Sequence, residues 1–353
     1  MTTIQPFCIT IGSLSIVQLF VPGGSLCDFL SGTKALATGQ IEISEVSQAG
    51  SVNNLKVINK SNKPVFFSDG DILQGAKQNR VLNTSVLLAP NSETIIPVSC
   101  VEAGRWKHNS QLFAQTSHVA SASLRAVKAH AVSHNFMASA EPTYQSDQSA
   151  VWDMVAAEHT KLGEVTSSNC LSEIYDKKMP ELDKQIDGLR HLEGANAVGI
   201  VLRGKIISVD IFARPDLLSE YLPKLVRGAL VDSYGDNKPT DNQETDIHLV
   251  VQATEVATNK GQDTKPSVGL GQETRFTEGN QTGFRLTHEG LIHGSLLEAE
   301  TKATERPGFS PRSFTGYFRS TPLYGHQIDP FQNPEHPGWD VLGRNEPLDG
   351  SQT

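Results

Sequence analysis

Residues 69–106, DGDILQGAKQNRVLNTSVLLAPNSETIIPVSCVEAGRW, set a charged cluster at an end of each of two apolar runs. The clusters are Lys77-Gln78-Asn79-Arg80 and Glu102-Ala103-Gly104-Arg105-Trp106, and the runs, 81–88 and 93–101, read as paired strands. Ionic groups beside a core need partners, because burying a lone charge is costly. Leu82, Val86 and Leu88 share one parity, as do Ile96, Val98 and Cys100, and facing residues of an antiparallel pair point the same way. Matching the two rows sets Val86 opposite Ile96, Leu82 opposite Cys100 and Arg80 opposite Glu102. Pro90-Asn91-Ser92 is then a hairpin loop of a common length, and Arg80 and Glu102 form a cross-strand ion pair. The other parity also carries Val81, Leu87, Ile95 and Val101, and a sheet covered on both faces leaves the register less determined.

Elsewhere, runs over 8–20, 41–46, 55–59 and 65–67, separated by Ser, Asn, Gly and Pro, predict a small antiparallel sheet. Residues 26–37 suit a short helix that Gly39 ends. From about 111 to 192 the spacing turns helical, through Val151, Met154, Val155 and Leu162 and then Leu171, Ile174, Tyr175, Leu182, Ile186 and Leu189. Pro180 should kink or divide the second helix, and the Ala-, Ser- and His-rich segment 117–149 reads as partly mobile. A hairpin over 197–202 and 205–212 turns at Gly204, and Pro215 opens a helix through Leu230. Residues 236–244 form a polar loop, after which strands resume at 247–253, 268–276, 282–286 and 291–297.

The expected fold class is α+β: mostly antiparallel short strands in a sheet or sandwich, a central helical insertion and a Pro-rich C-terminal arm. Residues 1–300 read as one α+β domain, strand-rich over 1–110, helical over 111–192 and mixed over 195–300. Residues 301–353 are either a tail or an arm that docks on a second copy through Phe314, Tyr317, Phe318, Tyr324 and Trp339.

Composition narrows the partners. Among 353 residues, 38% are hydrophobic and 20% charged, which fits a soluble globular protein. A net charge of −9 argues against nucleic acid and anionic membranes. No apolar run approaches the ~20 residues of a bilayer span, and the N-terminus lacks the pattern of a signal peptide. Cys8, Cys27, Cys100 and Cys170 are scattered without a CxxC, so free thiols in a reducing, cytoplasmic interior are expected.

GDILQGAKQNR, IPVSCVEAGRW and, more weakly, SVGLGQETRF carry a family pattern. Over roughly residues 10–300 the chain resembles the ADP-ribosylglycohydrolase-and-rhodanese-phosphatase-associated domain family, a bacterial family of uncharacterised function. Leu124-Arg125, Gln148 with Trp152, and the segment 210–212 add to the likeness. The resemblance implies a stand-alone α+β domain and a loose genomic link to ADP-ribose metabolism, and it supplies no catalytic residues.

The candidate residues therefore come from their chemistry. Lys77, Gln78, Arg80, Arg105 and Lys107 could make a cationic pocket for phosphate or carboxylate, with Gly70 and Gly75 bringing backbone N–H groups close to an anion and Trp106 stacking on a ring. The alternative is a buried structural network in which Arg80 and Arg105 satisfy Glu102 and Asp71. Glu102 is either a general base with a raised pKa or an anion held by Arg80. Cys100 is a nucleophile or, in its apolar row, a small core residue. His288 and His293 are spaced by five rather than the zincin four, and Gly269-Leu270-Gly271 reads as a bulged strand, so no metal and no cofactor is implied. Three functions stay open. One is an accessory domain binding an anionic, nucleotide- or ADP-ribose-like phosphate-bearing ligand. The second is a hydrolase or transferase with Glu102 as base, and the third a self-assembling protein using its C-terminal arm.

Overall fold

The strands and helices follow from local chemistry that a computed structural model makes explicit; it describes residues 6–299 apart from 106–109, 165, 167, 237 and 239–242. The first part is strand-rich: β1 (Phe7–Ile11), β2 (Leu14–Leu19), β3 (Leu30–Ser31), α1 (Gly32–Ala37), β4 (Ile41–Glu45), β5 (Asn54–Asn59), β6 (Val65–Phe67), β7 (Asp71–Gly75), β8 (Arg80–Leu82), β9 (Val86–Leu88) and β10 (Ser92–Cys100). Then come β11 (Phe113–Val119), α2 (Ala122–Ala138), α3 (Gln148–Leu162), α4 (Leu171–Gln185), β12 (Ala197–Leu202), β13 (Lys205–Phe212) and α5 (Pro215–Asp232). The chain closes with α6 (Gln243–Asn259), β14 (Asp263–Pro266), β15 (Gln272–Glu278), β16 (Gln281–Thr287) and β17 (Leu291–Glu298). The fold is α+β with mostly antiparallel strands.

Three sheets form. An eight-stranded sheet has the order β1-β2-β12-β13-β17-β16-β15-β14, a six-stranded sheet the order β11-β7-β8-β10-β5-β4, and a small one the order β3-β6-β9. Alternation splits the large sheet between two cores. Val198, Ile200 and Phe212 join α5 and Leu124 of α2 in one core, while Ala197, Val209 and Ile211 join Val250, Ala253 and Ala257 of α6 in another. Gly199 lies where α6 comes closest: a Cβ there would sit 2.4 Å from the Val250 side chain, so only glycine fits without a shift. Helix ends obey the usual rules. Ser121 and Asp147 cap α2 and α3 by accepting backbone N–H bonds, Gly163 ends α3 at φ +67°, and Pro215 starts α5.

Several expectations need correcting. The run 81–88 is not one strand: β8 and β9 are separated by Asn83-Thr84-Ser85 and belong to different sheets. The 89–91 turn therefore leads from β9 in the small sheet to β10 in the six-stranded one, and β10 pairs with β5 through residues 92–97 and with β8 through 98–100. Within the β8–β10 pair Cys100, not Glu102, faces Arg80, a shift of two residues. The parity argument was sound as far as it went, since Leu82, Val86, Leu88, Ile96 and Val98 do share one core. It could not fix the register because Val81, Leu87 and Val101 fill a second core on the other side.

Residues 247–253 are helical, not extended. Val250, Ala253, Thr254 and Ala257 are buried at helical spacing against the large sheet, and that packing overrides their strand preference. Residues 117–149 contain the end of β11 and all of α2, whose small side chains pack on β15, β16 and β17. Helix α1 begins only at Gly32, capped by Ser31, and α4 runs on through Pro180. The segment 269–271 is a loop, in which a Cβ on Gly269 would meet the Leu87 carbonyl. The arm proposed for 301–353 lies outside the described residues.

A fully buried ionic cluster joins the sheets. Arg125 on α2 donates two bonds to Asp210 of β13, at 3.0 and 2.6 Å, and one to Asp69, just before β7, at 3.1 Å. Lys128, one turn along α2, also pairs with Asp69. Burial works against ionising Asp210, but Arg125 and His293 outweigh it and hold the carboxyl well below the usual range. Beside these, Arg275 pairs with Glu273 at 2.5 Å and donates to Thr84, while Ser85 Oγ lies 2.8 Å from His293 Nδ1. The break between β8 and β9 thus delivers three polar side chains to buried partners, Asn83 bonding the Tyr144 carbonyl. Gly70, at φ +83°, leaves room for Arg125, whose Cδ would lie 2.8 Å from a Cβ there.

A buried carboxylate outside this cluster ties three helices. Glu158 on α3 accepts from Ser121 Oγ at 2.5 Å and from Tyr175 OH of α4 at 2.7 Å. Burial pushes its pKa up to about 7.

Two outcomes follow for stability. Arg125→Met leaves Asp69 and Asp210 with one cation fewer, and urea denaturation should show a loss of about 3–5 kcal/mol. The fold favours protonated Glu158, so stability should fall as pH rises from 4.5 to about 7, by on the order of 3 kcal/mol from this group. Glu158→Gln should flatten that slope in urea melts taken across the same range.

Candidate functional site

Where β8 begins, the chain is held by one asparagine. Asn79 donates its N–H to Glu102 Oε2 at 3.0 Å and its carbonyl accepts from Val101 N–H at 3.1 Å. Its side chain accepts from Gly75 N–H and Arg105 Nη2, and donates to Cys170 Sγ at 3.1 Å and Ser172 Oγ at 2.9 Å. All the hydrogen-bonding functions of this residue are used. The start of α4 is held against 101–104 by Leu171 N–H to Val101 O and Gly104 N–H to Ser168 O. A Cβ on Gly104 would stand 2.7 Å from Ser168 Cα, so this approach requires glycine.

Glu102 and Arg105 meet here. Arg105 donates Nε to Glu102 Oε1 at 2.8 Å and Nη2 to Oε2 at 2.7 Å, a planar two-point pair. Its Nη1 donates to the Ala76 carbonyl at 2.6 Å, clamping a turn in which Ala76 adopts φ +39°. Ser168 Oγ adds a bond to Glu102 Oε1 at 2.8 Å. Burial alone would raise the Glu102 pKa, but the bonds from Arg105, Ser168 and Asn79 outweigh it and keep the carboxyl ionised below its ordinary value. An acid so thoroughly stabilised as its anion is a weak base.

These groups form one side of a cleft of about 560 Å³ lined also by Gln74, Gly75, Ser110, Leu112, Ala114, Cys170, Glu173 and Asp176. That volume is in the range of small-molecule sites. Glu173 and Asp176 stand one turn apart on α4, Glu173 half-buried and Asp176 exposed. Asp176 Oδ1 lies 2.7 Å from His118 Nε2. Burial lowers the His118 pKa despite the opposing pull of Asp176. Among the described residues, three carboxylates and one guanidinium thus line the cleft.

The sequence-based site divides accordingly. Glu102 and Arg105 line the cleft, while Lys77, Gln78 and Arg80 do not. Lys77 Nζ bonds the Ala49 carbonyl, Gln78 Oε1 accepts from Arg80 and from the Cys100 thiol, and the fully buried Arg80 lies 3.9 Å from Glu45. The expected Arg80–Glu102 pair is replaced by Arg80–Glu45 and Arg105–Glu102. Asp71 takes Tyr221 OH and Ser68 N–H rather than an arginine, and the N–H groups of Gly70 and Gly75 go to Leu82 O and Asn79 Oδ1. Trp106 and Lys107 lie outside the described residues. His293 is buried in the ionic cluster and His288 lies in the 288–290 turn, and among the described residues no group of three His, Cys, Asp or Glu side chains is placed to hold a metal. Sequence reading missed Asn79 as the hub, and it missed Cys170, Glu173 and Asp176, which reach the cleft from a helix far along the chain.

The family model described as the ARG and Rhodanese-Phosphatase-superfamily-associated Protein domain, ARPP-1, matches residues 6–297. The chain belongs to the ARPP-1 family. No curated protein and no solved structure matches it. The ARPP-1 match takes in strands of all three sheets and every lining residue of the cleft. Among the described residues no helix is long and apolar enough to cross a membrane.

Glu102→Gln leaves the largely buried Arg105 guanidinium without its paired carboxylate at the wall of the cleft. It should lower stability by about 2–4 kcal/mol in urea denaturation. Because the Glu102 pKa is depressed in the fold, the deficit relative to wild type should shrink as acid protonates the wild-type carboxylate.

Proposed function

We propose that this domain is a small-molecule-binding or accessory module whose ligand occupies the Glu102–Arg105 cleft and is gripped at a donor-bearing part, the sugar hydroxyls of a nucleotide- or ADP-ribose-like molecule. The observation that carries this reading is the pair of carboxylates, Glu173 and Asp176, on consecutive turns of α4 at an open cleft. Carboxylates accept from ribose hydroxyls, as in dinucleotide sites. Phosphate, the head group the cationic residues suggest, has less to meet here. The Arg105 guanidinium already serves Glu102 and the Ala76 carbonyl, and Lys77 and Arg80 lie off the cleft. The family's name supports an ADP-ribose-related setting. A hydrolase or transferase using Glu102 as base has weaker support, since both its oxygens are engaged. Four free cysteines, two of them buried, are in keeping with a cytoplasmic setting.

Titration calorimetry with ADP-ribose, ribose and inorganic phosphate tests the reading on wild type and on the Glu173→Gln, Asp176→Asn double variant. ADP-ribose should bind wild type and bind the double variant about tenfold or more weakly, a loss of ~1.4 kcal/mol or more, while phosphate alone gives no heat. Equal ADP-ribose affinity in the two proteins, or phosphate binding as well as ADP-ribose, overturns recognition through the sugar.

A further inference from the structure

A second cavity, of about 570 Å³, opens between α2, α3 and the end of α5, and shares no lining residue with the first. Val127, Met154, Ala157 and Val231 give it apolar walls, and Glu158 and Asp232 bring two carboxylates to it. The bonding partners of these acids are unusual for their setting. Glu158 accepts from the hydroxyls of Ser121 and Tyr175, and Asp232 from the hydroxyl and N–H of Ser123. None of these donors is a cation. Lys161, the ammonium that lines the same cavity, is exposed and directs its Nζ to the backbone carbonyl of Asp232.

A carboxylate withdrawn from water is stable as an anion only beside a counter-charge. Here Lys161 attracts both acids, but one ammonium set against two carboxylates, among apolar walls and otherwise neutral donors, leaves that charge incompletely met. An apolar cavity with unmet negative charge on its wall is complementary to a molecule with the opposite construction.

We propose that this cavity binds an organic ammonium, with a compact apolar body between Val127, Met154, Ala157 and Val231 and its protonated nitrogen set against Glu158 and Asp232. An alcohol of the same shape fills the space but brings no charge, and a carboxylate of the same shape is repelled. The groups facing the two acids are Ser121, Ser123, Tyr175 and Lys161, so Lys161 is the only titratable cation among them. Burial raises Glu158 to about 7 and Asp232 to about 6, so Asp232 is largely ionised at neutrality and Glu158 becomes so only above it. Ammonium binding should therefore tighten with rising pH and release protons near neutrality.

Titration calorimetry of the full chain with cyclohexylmethylamine, cyclohexylmethanol and cyclohexylacetate supplies the test, at about pH 5.5 and about pH 8. The amine should bind at the higher pH, about tenfold more weakly at the lower, and the alcohol and carboxylate at neither. Glu158→Gln should weaken the amine about tenfold at the higher pH. Ala157→Trp, which adds bulk at an exposed lining position and leaves both acids in place, should abolish binding. Three results each overturn the proposal: no heat from the amine, equal binding of amine and alcohol, or amine binding unchanged by Ala157→Trp. The Glu173→Gln, Asp176→Asn double variant of the other cleft should bind the amine as wild type does. Loss of amine binding there would move the ammonium to that cleft and would also sink the assignment.

Discussion

Arg125 is the point on which the architecture turns. Its guanidinium reaches Asp69 beside the six-stranded sheet and Asp210 in the eight-stranded sheet, from a helix that packs on the latter. Few side chains could do this, because the bridge needs several donors fixed in a plane and a charge that survives burial. The ring of partners explains other choices nearby: glycine at 70 to make room, a broken strand at 83–85, and serines at 85 and 295 to fill the remaining bonds. Ionic groups in this interior set geometry more than they add stability, since taking them out of water offsets much of their attraction.

The sequence was most legible where local rules decide the outcome. The 197–212 hairpin turns at Arg203 and Gly204, both at positive φ, and Pro215 begins α5. It was least legible where both faces of a strand are buried. Leu82 and Val81 are equally inaccessible, so their alternation carried no information about which neighbour faces which. The rule that ionic groups beside the core must find partners held, but the partners came from elsewhere in the chain. Glu45 took Arg80, and Arg105, three residues on, took Glu102. The part of the cleft supplied by α4 had no local signature, because Cys170, Glu173 and Asp176 look like ordinary helix-start residues until the helix is docked on 101–104.

The cleft and the buried cluster use similar residues to different ends. In the cluster, Asp69, Asp210 and Glu273 face arginine or lysine with no access to water. At the cleft, the Glu102–Arg105 pair forms a rigid wall and leaves Glu173 and Asp176 at the open side. Rigidity beneath and accessible acceptors above suit the proposed ligand, which would need little rearrangement of the cleft on arrival.

The order of strands in the large sheet also bears on how the molecule is made. Ile16 of β2 pairs with Ile200 of β12, and β13 completes its own pairing only with β17 near residue 295. On the ribosome, the β1–β2 hairpin emerges long before its neighbour exists, leaving an apolar edge open until β12 has been made. Completion of that sheet therefore waits for β17, which slots between β13 and β16 and closes the gap between its two halves.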